Sequence, residues 1–297
     1  MCVLRVLCDE KLFECFIPFA FLALAYFEGL EYLLSNAIIE KRQIRLVTVT
    51  TNYICSWPFY HWVKMIEIKA VVADIDGTLT DMKRRISTEA IEAIREMPIP
   101  VVLASGNVIC FMRAAGKLIG TSEAMIGENG GVIQVGYDAK PMVLADIDEC
   151  KRASEYLKKY FPDLEPLDAR YRLSEMAFRR TVDLRKTREL LAKEYPDLEI
   201  LDTKFALHLK HRNVNKGTGL VKVASIMGLK PGNFAALGDS ENDLKMFREA
   251  GMGLAVGNAV PEVKAAADYV SQKPYGEGAA EALRWLSKNF LKERTRS

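Results

Sequence analysis

Residues 68–80 read Ile-Lys-Ala-Val-Val-Ala-Asp-Ile-Asp-Gly-Thr-Leu-Thr. The run over residues 68–75 is short, almost continuously apolar and rich in valine and isoleucine, which is typical of a central strand buried on both faces. Asp74 and Asp76 stand two positions apart, so a regular strand points both side chains the same way. Gly77 allows a sharp turn directly afterwards. The segment therefore predicts a buried strand that ends in a pair of carboxylates.

The residues that follow alternate between helical and strand patterns. Ser87 is suited to cap a helix whose inner face carries Ile91, Ala93 and Ile94. Gly-Glu-Asn-Gly-Gly, within residues 125–135, indicates a sharp turn between two short strands. The other expected elements are helices over 87–97, 108–119, 216–227, 241–250, 261–267 and 277–291, and strands over 99–104, 234–237 and 253–256. This alternation predicts an α/β fold with a doubly wound, mostly parallel sheet.

Residues 146–212 show a different pattern from the segments on either side. The expected elements there are helices over 149–160 and 184–195, and strands within 170–183 and 199–210. These short strands and charged helices predict an inserted α/β unit with an antiparallel sheet. We therefore expect a core made of residues 65–145 and 213–297, interrupted by an insertion over 146–212.

Residues 1–64 contain four of the six cysteines. Their uncharged, strongly apolar run over residues 15–27 is broken by Pro18, and it is shorter than the roughly 20 apolar residues that a membrane-spanning helix needs. Three interpretations remain: a membrane anchor, an accessory packing element, or an upstream stretch that is not a natural part of the protein. The third is favoured, because Met65 opens a sequence that resembles a natural protein start.

The composition is that of an ordinary globular protein, with 49% apolar and 27% charged residues and a formal net charge of +2. No run of lysine and arginine indicates nucleic-acid binding. The six cysteines form neither a disulfide framework nor a Cys-x-x-Cys pair, so a reducing, cytoplasmic location is expected.

Polar and charged groups follow three of the predicted strands and open one helix. They are Asp74, Asp76, Ser105, Gly106, Lys216, Asp239 and Asp243. Taken singly, each has an ordinary explanation as a cap, a turn or a solvated residue. Together they meet at the carboxyl edge of the predicted sheet, where two carboxylates 4 Å apart repel by about 4 kcal/mol at an effective dielectric near 20. Oxygen ligands without a nearby histidine or cysteine favour Mg²⁺ as the neutralising cation.

Four segments, taken in order, carry a resemblance to a known family. Asp-Ile-Asp-Gly-Thr-Leu-Thr, Leu-Ala-Ser-Gly-Asn, Asn-Lys-Gly and Gly-Asp-Ser-Glu-Asn-Asp resemble the four motifs of the haloacid dehalogenase-like phosphohydrolases. The resemblance implies a Rossmann-like core, and the insertion is similar to the α/β cap domain of the Cof-like type. Within the superfamily, the chain is most similar to the archaeal-type phosphoglycolate phosphatases.

This resemblance implies roles for individual residues. Asp74 would be the nucleophile that forms an aspartyl-phosphate, and Asp76 would act first as general acid and then as general base. Lys216 would place a positive charge beside the phosphate and the nucleophile. Ser105 and nearby backbone amides, Gly106 among them, would donate hydrogen bonds to the phosphate.

The resemblance also implies a metal site. Mg²⁺ would be held by Asp74, by the backbone carbonyl of Asp76 and by Asp239, with Asp243 as a further ligand or a support. The expected reaction is hydrolysis of 2-phosphoglycolate. The alternatives are hydrolysis of another small metabolite, such as a sugar phosphate, or a phosphotransferase or mutase reaction on the same core.

The far end of phosphoglycolate carries a carboxylate, so a cation from the insertion is expected to contact it. The candidates are Arg170, Arg172, Arg179, Arg180, Lys210 and Arg212. The expected partner is a small phosphorylated metabolite, and neither nucleic acid nor a membrane is expected. The sequence leaves open whether the protein forms a homodimer.

Overall fold

The computed structural model describes residues 2–5, 38–40, 43–48 and 67–291. The chain divides into two compact units, residues 1–67 and residues 68–297. In the first unit, β1 (Cys2–Arg5), β2 (Ile38–Glu40) and β3 (Gln43–Thr48) form an antiparallel sheet in the order β1-β3-β2. The interpretations of residues 1–64 concern a segment that lies mostly outside the described residues.

The second unit is built on an eight-stranded sheet in the order β15-β14-β13-β4-β5-β6-β7-β8. Its strands are β4 (Ala70–Asp74), β5 (Val101–Ala104), β6 (Ala124–Gly127), β7 (Val132–Val135), β8 (Met142–Val143), β13 (Phe234–Gly238), β14 (Met252–Ala255) and β15 (Tyr269–Val270). Neighbours from β15 to β6 are parallel, and the β6–β7 and β7–β8 pairs are antiparallel. The predicted doubly wound, mostly parallel sheet is confirmed.

The helices of this layer lie close to their expected positions. They are α1 (Thr88–Glu96), α2 (Ile109–Ile119), α5 (Lys216–Ile226), α6 (Leu244–Glu249), α7 (Pro261–Ala266) and α8 (Tyr275–Phe290). Ser87 caps α1 by accepting a hydrogen bond from the Ala90 amide at 3.2 Å. The buried face of α1 carries Ala90, Ala93 and Ile94, whereas Ile91 is only half-buried. Two of the three residues expected on the inner face, Ala93 and Ile94, are therefore buried as predicted.

The central strand β4 explains why the site forms where it does. All five of its residues are buried, and its neighbours are β13 on one side and β5 on the other. The chain continues to β5 first and reaches β13 only after the insertion, so the strand order reverses between β4 and β13. Ligands of open α/β sheets bind at such a reversal, beyond the carboxyl ends of the strands.

The insertion contains two helices and its own antiparallel sheet, in the order β11-β12-β10-β9. Its elements are α3 (Ile147–Lys158), β9 (Pro166–Leu167), β10 (Met176–Phe178), α4 (Leu184–Glu194), β11 (Leu198–Asp202) and β12 (Leu207–His211). A separate apolar cluster, centred on Phe178, Leu157 and Leu209, lies inside it. The predicted α/β architecture of the insertion is therefore present, and its boundaries at residues 146 and 212 stay a prediction.

The strand that was expected within 170–183 is much shorter in the structure, because residues 172–175 bind the core. The Glu128 carboxylate accepts hydrogen bonds from the amides of Leu173 (3.0 Å) and Ser174 (2.8 Å) and from the Ser174 hydroxyl (2.9 Å). Glu128 lies in the Gly-Glu-Asn-Gly-Gly turn and adopts a left-handed φ of 49°. This contact holds the insertion over the carboxyl edge of the large sheet.

None of the helices in the described part of the chain is both long enough and apolar enough to cross a bilayer.

Replacing Phe178 tests the core of the insertion. Phe178 is fully buried, so Phe178→Ala is expected to lower the free energy of unfolding by about 3–5 kcal/mol. Urea unfolding followed by circular dichroism measures the loss. Leu118→Ala is the control, because Leu118 is 76% exposed and its truncation should change little. Equal effects of the two substitutions would contradict the assignment of Phe178 to a packed core.

Candidate active site

Three buried carboxylates converge where β4 and β13 end. Asp74, Asp239 and Asp243 each offer an oxygen atom, and these atoms lie within 4.8 Å of one another. Asp74 ends β4, Asp239 directly follows β13, and Asp243 closes a short 3-10 turn after it. Among the residues that the structure describes, this is the one group of three acidic or metal-ligating side chains with such spacing.

A buried lysine balances part of this negative charge. The Lys216 ammonium donates hydrogen bonds to Asp74 Oδ1 at 2.5 Å and to Asp243 Oδ1 at 2.7 Å. Its side chain is only 1% exposed. Lys216 is the first residue of α5, which Asn215 caps by accepting hydrogen bonds from two amides of the first turn. The start of the helix therefore places the ammonium within hydrogen-bond distance of Asp74 and Asp243.

Burial and mutual repulsion raise the pKa values of two carboxylates in the cluster. Burial, reinforced by Asp243 and Asp239, raises the pKa of Asp74 well above its ordinary value despite the opposing effect of Lys216. Burial and the charge of Asp243 raise the pKa of Asp239 to about 7. Burial alone would lower the pKa of Lys216, but the charges of Asp243 and Asp74 outweigh it and raise that pKa.

One carboxylate oxygen in the cluster lacks a partner. Asp74 Oδ2 is buried and has no hydrogen-bond partner among the described residues. Buried polar atoms are normally satisfied, so an orphaned oxygen beside two further carboxylates fits a site for a divalent cation. The donor set is entirely oxygen, which suits a hard cation rather than zinc or copper.

Two glycines make room for the acidic side chains. A Cβ atom on Gly77, which has a φ of +89°, would lie 2.7 Å from Asp239 Oδ2. A Cβ atom on Gly238 would lie 2.6 Å from Asp243 Cγ. The Asp243 carboxylate accepts hydrogen bonds from the amides of Asp239 and Ser240, each at 3.1 Å. The two glycines therefore leave room for the Asp239 and Asp243 side chains, and the turn amides orient the Asp243 carboxylate.

Asp76 lies at the same edge, but its carboxylate is not part of the buried group. It accepts hydrogen bonds from Arg84 Nε at 2.8 Å and from Asn107 Nδ2 at 2.7 Å. Arg84 adopts a left-handed φ of 61° in the hairpin that follows the first motif. Sequence reasoning missed Arg84 and Asn107, although Asn107 directly follows the Ser-Gly pair of the second motif.

Ser105 and Gly106 lie beside Asp76, as the order of the motifs indicates. The buried Ser105 hydroxyl accepts hydrogen bonds from Asn107 N at 3.1 Å and from Asn107 Nδ2 at 2.8 Å. A Cβ atom on Gly106 would lie 2.8 Å from the His208 ring. Only glycine therefore fits between the second motif and the insertion.

These residues share a small cavity of about 70 Å³ between the core and the insertion. Asp74, Asp76, Ser105 and Gly106 line it from the core side. The lining groups that sequence analysis did not assign to the site are Arg84, Asn107, Leu167, Asp168, Thr203, Phe205, Ala206, His208, Ser240 and Asn242.

Arg172 is the one candidate cation of the insertion among those lining this cavity. Arg179 pairs with Glu165 and Arg180 with Asp202, both near the surface. The other three have partners away from the cavity: Arg170 contacts Tyr171, Lys210 contacts Glu199 and Val214, and Arg212 contacts Pro196. Folding thus separates Arg172 from four arginines and one lysine that were equivalent candidates in the sequence.

The chain matches the model of the haloacid dehalogenase-like hydrolase family over residues 71–171 and 169–283. It is 46% identical over 224 residues to a phosphoglycolate phosphatase of Methanosarcina acetivorans, covering 75% of this chain and 99% of that protein. A phosphoglycolate phosphatase of Archaeoglobus fulgidus is also 46% identical, over 222 residues, covering 75% of this chain and 98% of that protein.

Solved structures share the fold of this chain. A crystal structure of a Thermoplasma acidophilum protein superposes with a TM-score of 0.67 at 28% identity, covering 75% of this chain and 98% of that one. A Thermotoga maritima structure shares the fold, with a TM-score of 0.61 at 22% identity, covering 76% of this chain and 100% of that one. The chain belongs to the haloacid dehalogenase-like hydrolase family and is an enzyme, which confirms the resemblance seen in its motifs.

Replacing the buried ammonium tests the charge balance of the site. Lys216→Met leaves Asp74 and Asp243 buried without their cation, so it is expected to lower the free energy of unfolding by about 3–5 kcal/mol near neutral pH. Part of the loss should be recovered in acid, where the carboxylates bind protons. Thermal unfolding at both pH values measures this.

Lys222→Met is the matched control, since Lys222 lies on the same helix but is exposed. Wild-type stability of Lys216→Met at neutral pH would contradict a structural role for the buried ion pairs.

Proposed function

We propose that this chain is a Mg²⁺-dependent phosphatase that hydrolyses 2-phosphoglycolate to glycolate and phosphate through an aspartyl-phosphate on Asp74. The single observation that carries this proposal is the buried group of Asp74, Asp239 and Asp243, bridged by Lys216, with one Asp74 oxygen unpartnered. The names of the 46% identical archaeal relatives support the substrate.

The metal ligands would be Asp74, Asp239 and the backbone carbonyl of Asp76, with Asp243 as a further ligand or a support. When bound, Mg²⁺ neutralises phosphate oxygens and aligns the ester for attack. Thr78 supports this assignment, because its hydroxyl donates to Asp239 Oδ1 at 3.0 Å and so orients that carboxylate. Asp243 is oriented by two backbone amides.

Asp74 is the group best placed to act as the nucleophile. Lys216 donates a hydrogen bond to Oδ1 and Oδ2 has no partner among the described residues, so the carboxylate has one oxygen to offer to the cation and one to phosphorus. In the first step an Asp74 oxygen forms a bond to phosphorus as the bond from phosphorus to the glycolate oxygen breaks. In the second step water attacks phosphorus, and the bond to Asp74 breaks to release phosphate.

Asp76 would carry the proton in both steps. It gives a proton to the departing glycolate oxygen and then takes one from the attacking water. Its present partners, Arg84 and Asn107, hold the carboxylate at the rim of the cavity next to Ser105. An incoming phosphate dianion would compete for the Arg84 guanidinium and so free Asp76 for proton transfer.

The lining of the cavity supports a small ester. Asp74 and Ser105 line it from the core and Arg172 lines it from the insertion, so both ends of a short ester can contact the protein. The Glu128 contact with residues 173–174 holds the neighbouring Arg172 segment against the core. We propose a small phosphorylated metabolite as the partner and the cytoplasm as the location of the enzyme. Whether the protein forms a homodimer stays open.

Asp74→Asn is expected to abolish hydrolysis of 2-phosphoglycolate, because an amide lacks the charge and nucleophilicity of the carboxylate. Release of inorganic phosphate measures activity, and thermal unfolding checks the fold. The matched control is Asp138→Asn, since Asp138 is fully exposed and should be dispensable. A trapped phosphoenzyme that maps to another residue would contradict the assigned nucleophile.

Mg²⁺ is expected to stabilise the protein more at high pH than at low pH. Because the pKa of Asp239 is raised to about 7 from 3.8, the folded metal-free protein binds more protons than the unfolded chain between these values. The stability of the metal-free protein should therefore fall as the pH rises from about 4 to about 7.

Thermal unfolding with EDTA or with Mg²⁺, near pH 5 and near pH 8, measures this difference. Mg²⁺ should raise Tm by several degrees at the higher pH and by much less at the lower one, where it must displace protons. Asp239→Asn should flatten the pH dependence. An equal Mg²⁺ effect at both pH values would argue against the acidic group as the binding site.

A further inference from the structure

Arg172 is a buried cation whose hydrogen-bonding capacity is not exhausted by the protein. Its Nε donates to the Leu167 carbonyl at 3.2 Å, and its Nη1 donates to Glu175 Oε1 at 2.6 Å and to the Gly106 carbonyl at 3.2 Å. The side chain is 4% exposed. Its Nη2 has no hydrogen-bond partner among the described residues, and Arg172 lines the cavity. Two N–H donors are therefore left for a ligand.

The position of Arg172 relative to the catalytic groups matches a short substrate. Its guanidinium contacts the carbonyl of Gly106, which directly follows Ser105 in the second motif. Asp74 and Ser105 line the same cavity from the core side. A molecule that places its phosphate against Asp74 and Ser105 has to extend only a short way before its other end meets Arg172.

Buried neighbours hold the guanidinium in place. Glu175 is 1% exposed, and its carboxylate also accepts a hydrogen bond from Asn129 Nδ2 at 3.1 Å and lies 2.6 Å from His208 Nδ1. Burial alone would raise the pKa of Glu175, but His208 and Arg172 outweigh it, so that the pKa is lowered. Glu175 is therefore an anion that binds Arg172 Nη1 and so fixes the direction in which Nη2 points.

The other cations near the cavity contact the aspartates at the phosphate end of the site. Arg84 makes a two-point contact with the Asp76 carboxylate and a third hydrogen bond with Asn107. Lys216 lies below the cavity, between Asp74 and Asp243. Arg172 thus combines burial, fixed orientation and unused donors, which is the arrangement that selects a carboxylate.

We propose that Arg172 is the specificity-determining residue of this enzyme, and that its Nη2 donates to the carboxylate at the far end of the phosphate ester. Glu175 is the positioning residue that holds the guanidinium in this orientation. The proposal rests on the proposed phosphatase function and names the group that selects an anionic tail over a neutral one.

The test compares two esters of the same length, 2-phosphoglycolate and 2-hydroxyethyl phosphate, which lacks the carboxylate. The readout is the ratio of their kcat/KM values. Arg172→Met is expected to lower this ratio about 10- to 100-fold, the effect of losing a charged hydrogen bond, mainly through a higher KM for 2-phosphoglycolate. Arg172→Lys keeps the charge but not the fork, so it should lower the ratio less.

The positioning role of Glu175 has its own readout. Glu175→Gln is expected to lower the same ratio to an intermediate value, whereas a purely structural role would slow both esters equally. Arg188→Met is the control, because Arg188 is an exposed arginine on α4 of the insertion. It should leave both kcat/KM values unchanged. Thermal unfolding confirms that each variant is folded, and Arg172→Lys decides the question if Arg172→Met does not fold.

The outcomes distinguish a failure of the Arg172 assignment from a failure of the proposed phosphatase function. If the wild-type enzyme hydrolyses both esters but the ratio is unchanged in the folded Arg172 variants, the assignment of Arg172 is wrong and the phosphatase function stands. An equal loss for both esters also overturns the assignment. If the wild-type enzyme hydrolyses neither ester with Mg²⁺ present, the proposed function fails and the assignment falls with it.

Discussion

The fold places three buried carboxylates so close together that they repel one another, and this repulsion determines the chemistry of the site. Asp74, Asp239 and Asp243 meet within 4.8 Å, and Lys216 supplies a single buried cation between two of them. The remaining negative charge contributes to the raised pKa values of Asp74 and Asp239. One oxygen of Asp74 also has no hydrogen-bond partner among the described residues. A cluster in this condition gains stability from a divalent cation and, with it, attraction for a phosphate dianion.

The arrangement of the chain makes this cluster unavoidable. The strand order reverses between β4 and β13, so the residues after these two strands must share one edge of the sheet. Gly77 and Gly238 then allow the carboxylates to approach where a Cβ atom would collide with them. The backbone that brings the carboxylates together therefore also leaves space beside them, where a cation can neutralise their repulsion.

The insertion reaches the site through contacts with the core. Glu128 binds the amides of Leu173 and Ser174, and this attachment shortens the neighbouring strand. The adjacent Arg172 and Glu175 are consequently buried against the second motif rather than exposed on a sheet. Arg172, which lines the cavity, and the amides that bind Glu128 therefore belong to one loop.

Sequence by itself determined the alternating α/β pattern, the insertion and the acidic groups at strand ends, because burial periodicity and turn residues are local properties of the chain. It indicated Asp74, Asp239 and Lys216 as one group through their order and their positions at element ends. Only the tertiary structure decided that Arg172, and not the similar Arg170 or Arg180, enters the cavity. That choice follows from packing between segments far apart in sequence, since Gly106, Glu128 and Glu175 together direct the loop, and no pattern within the loop records those contacts.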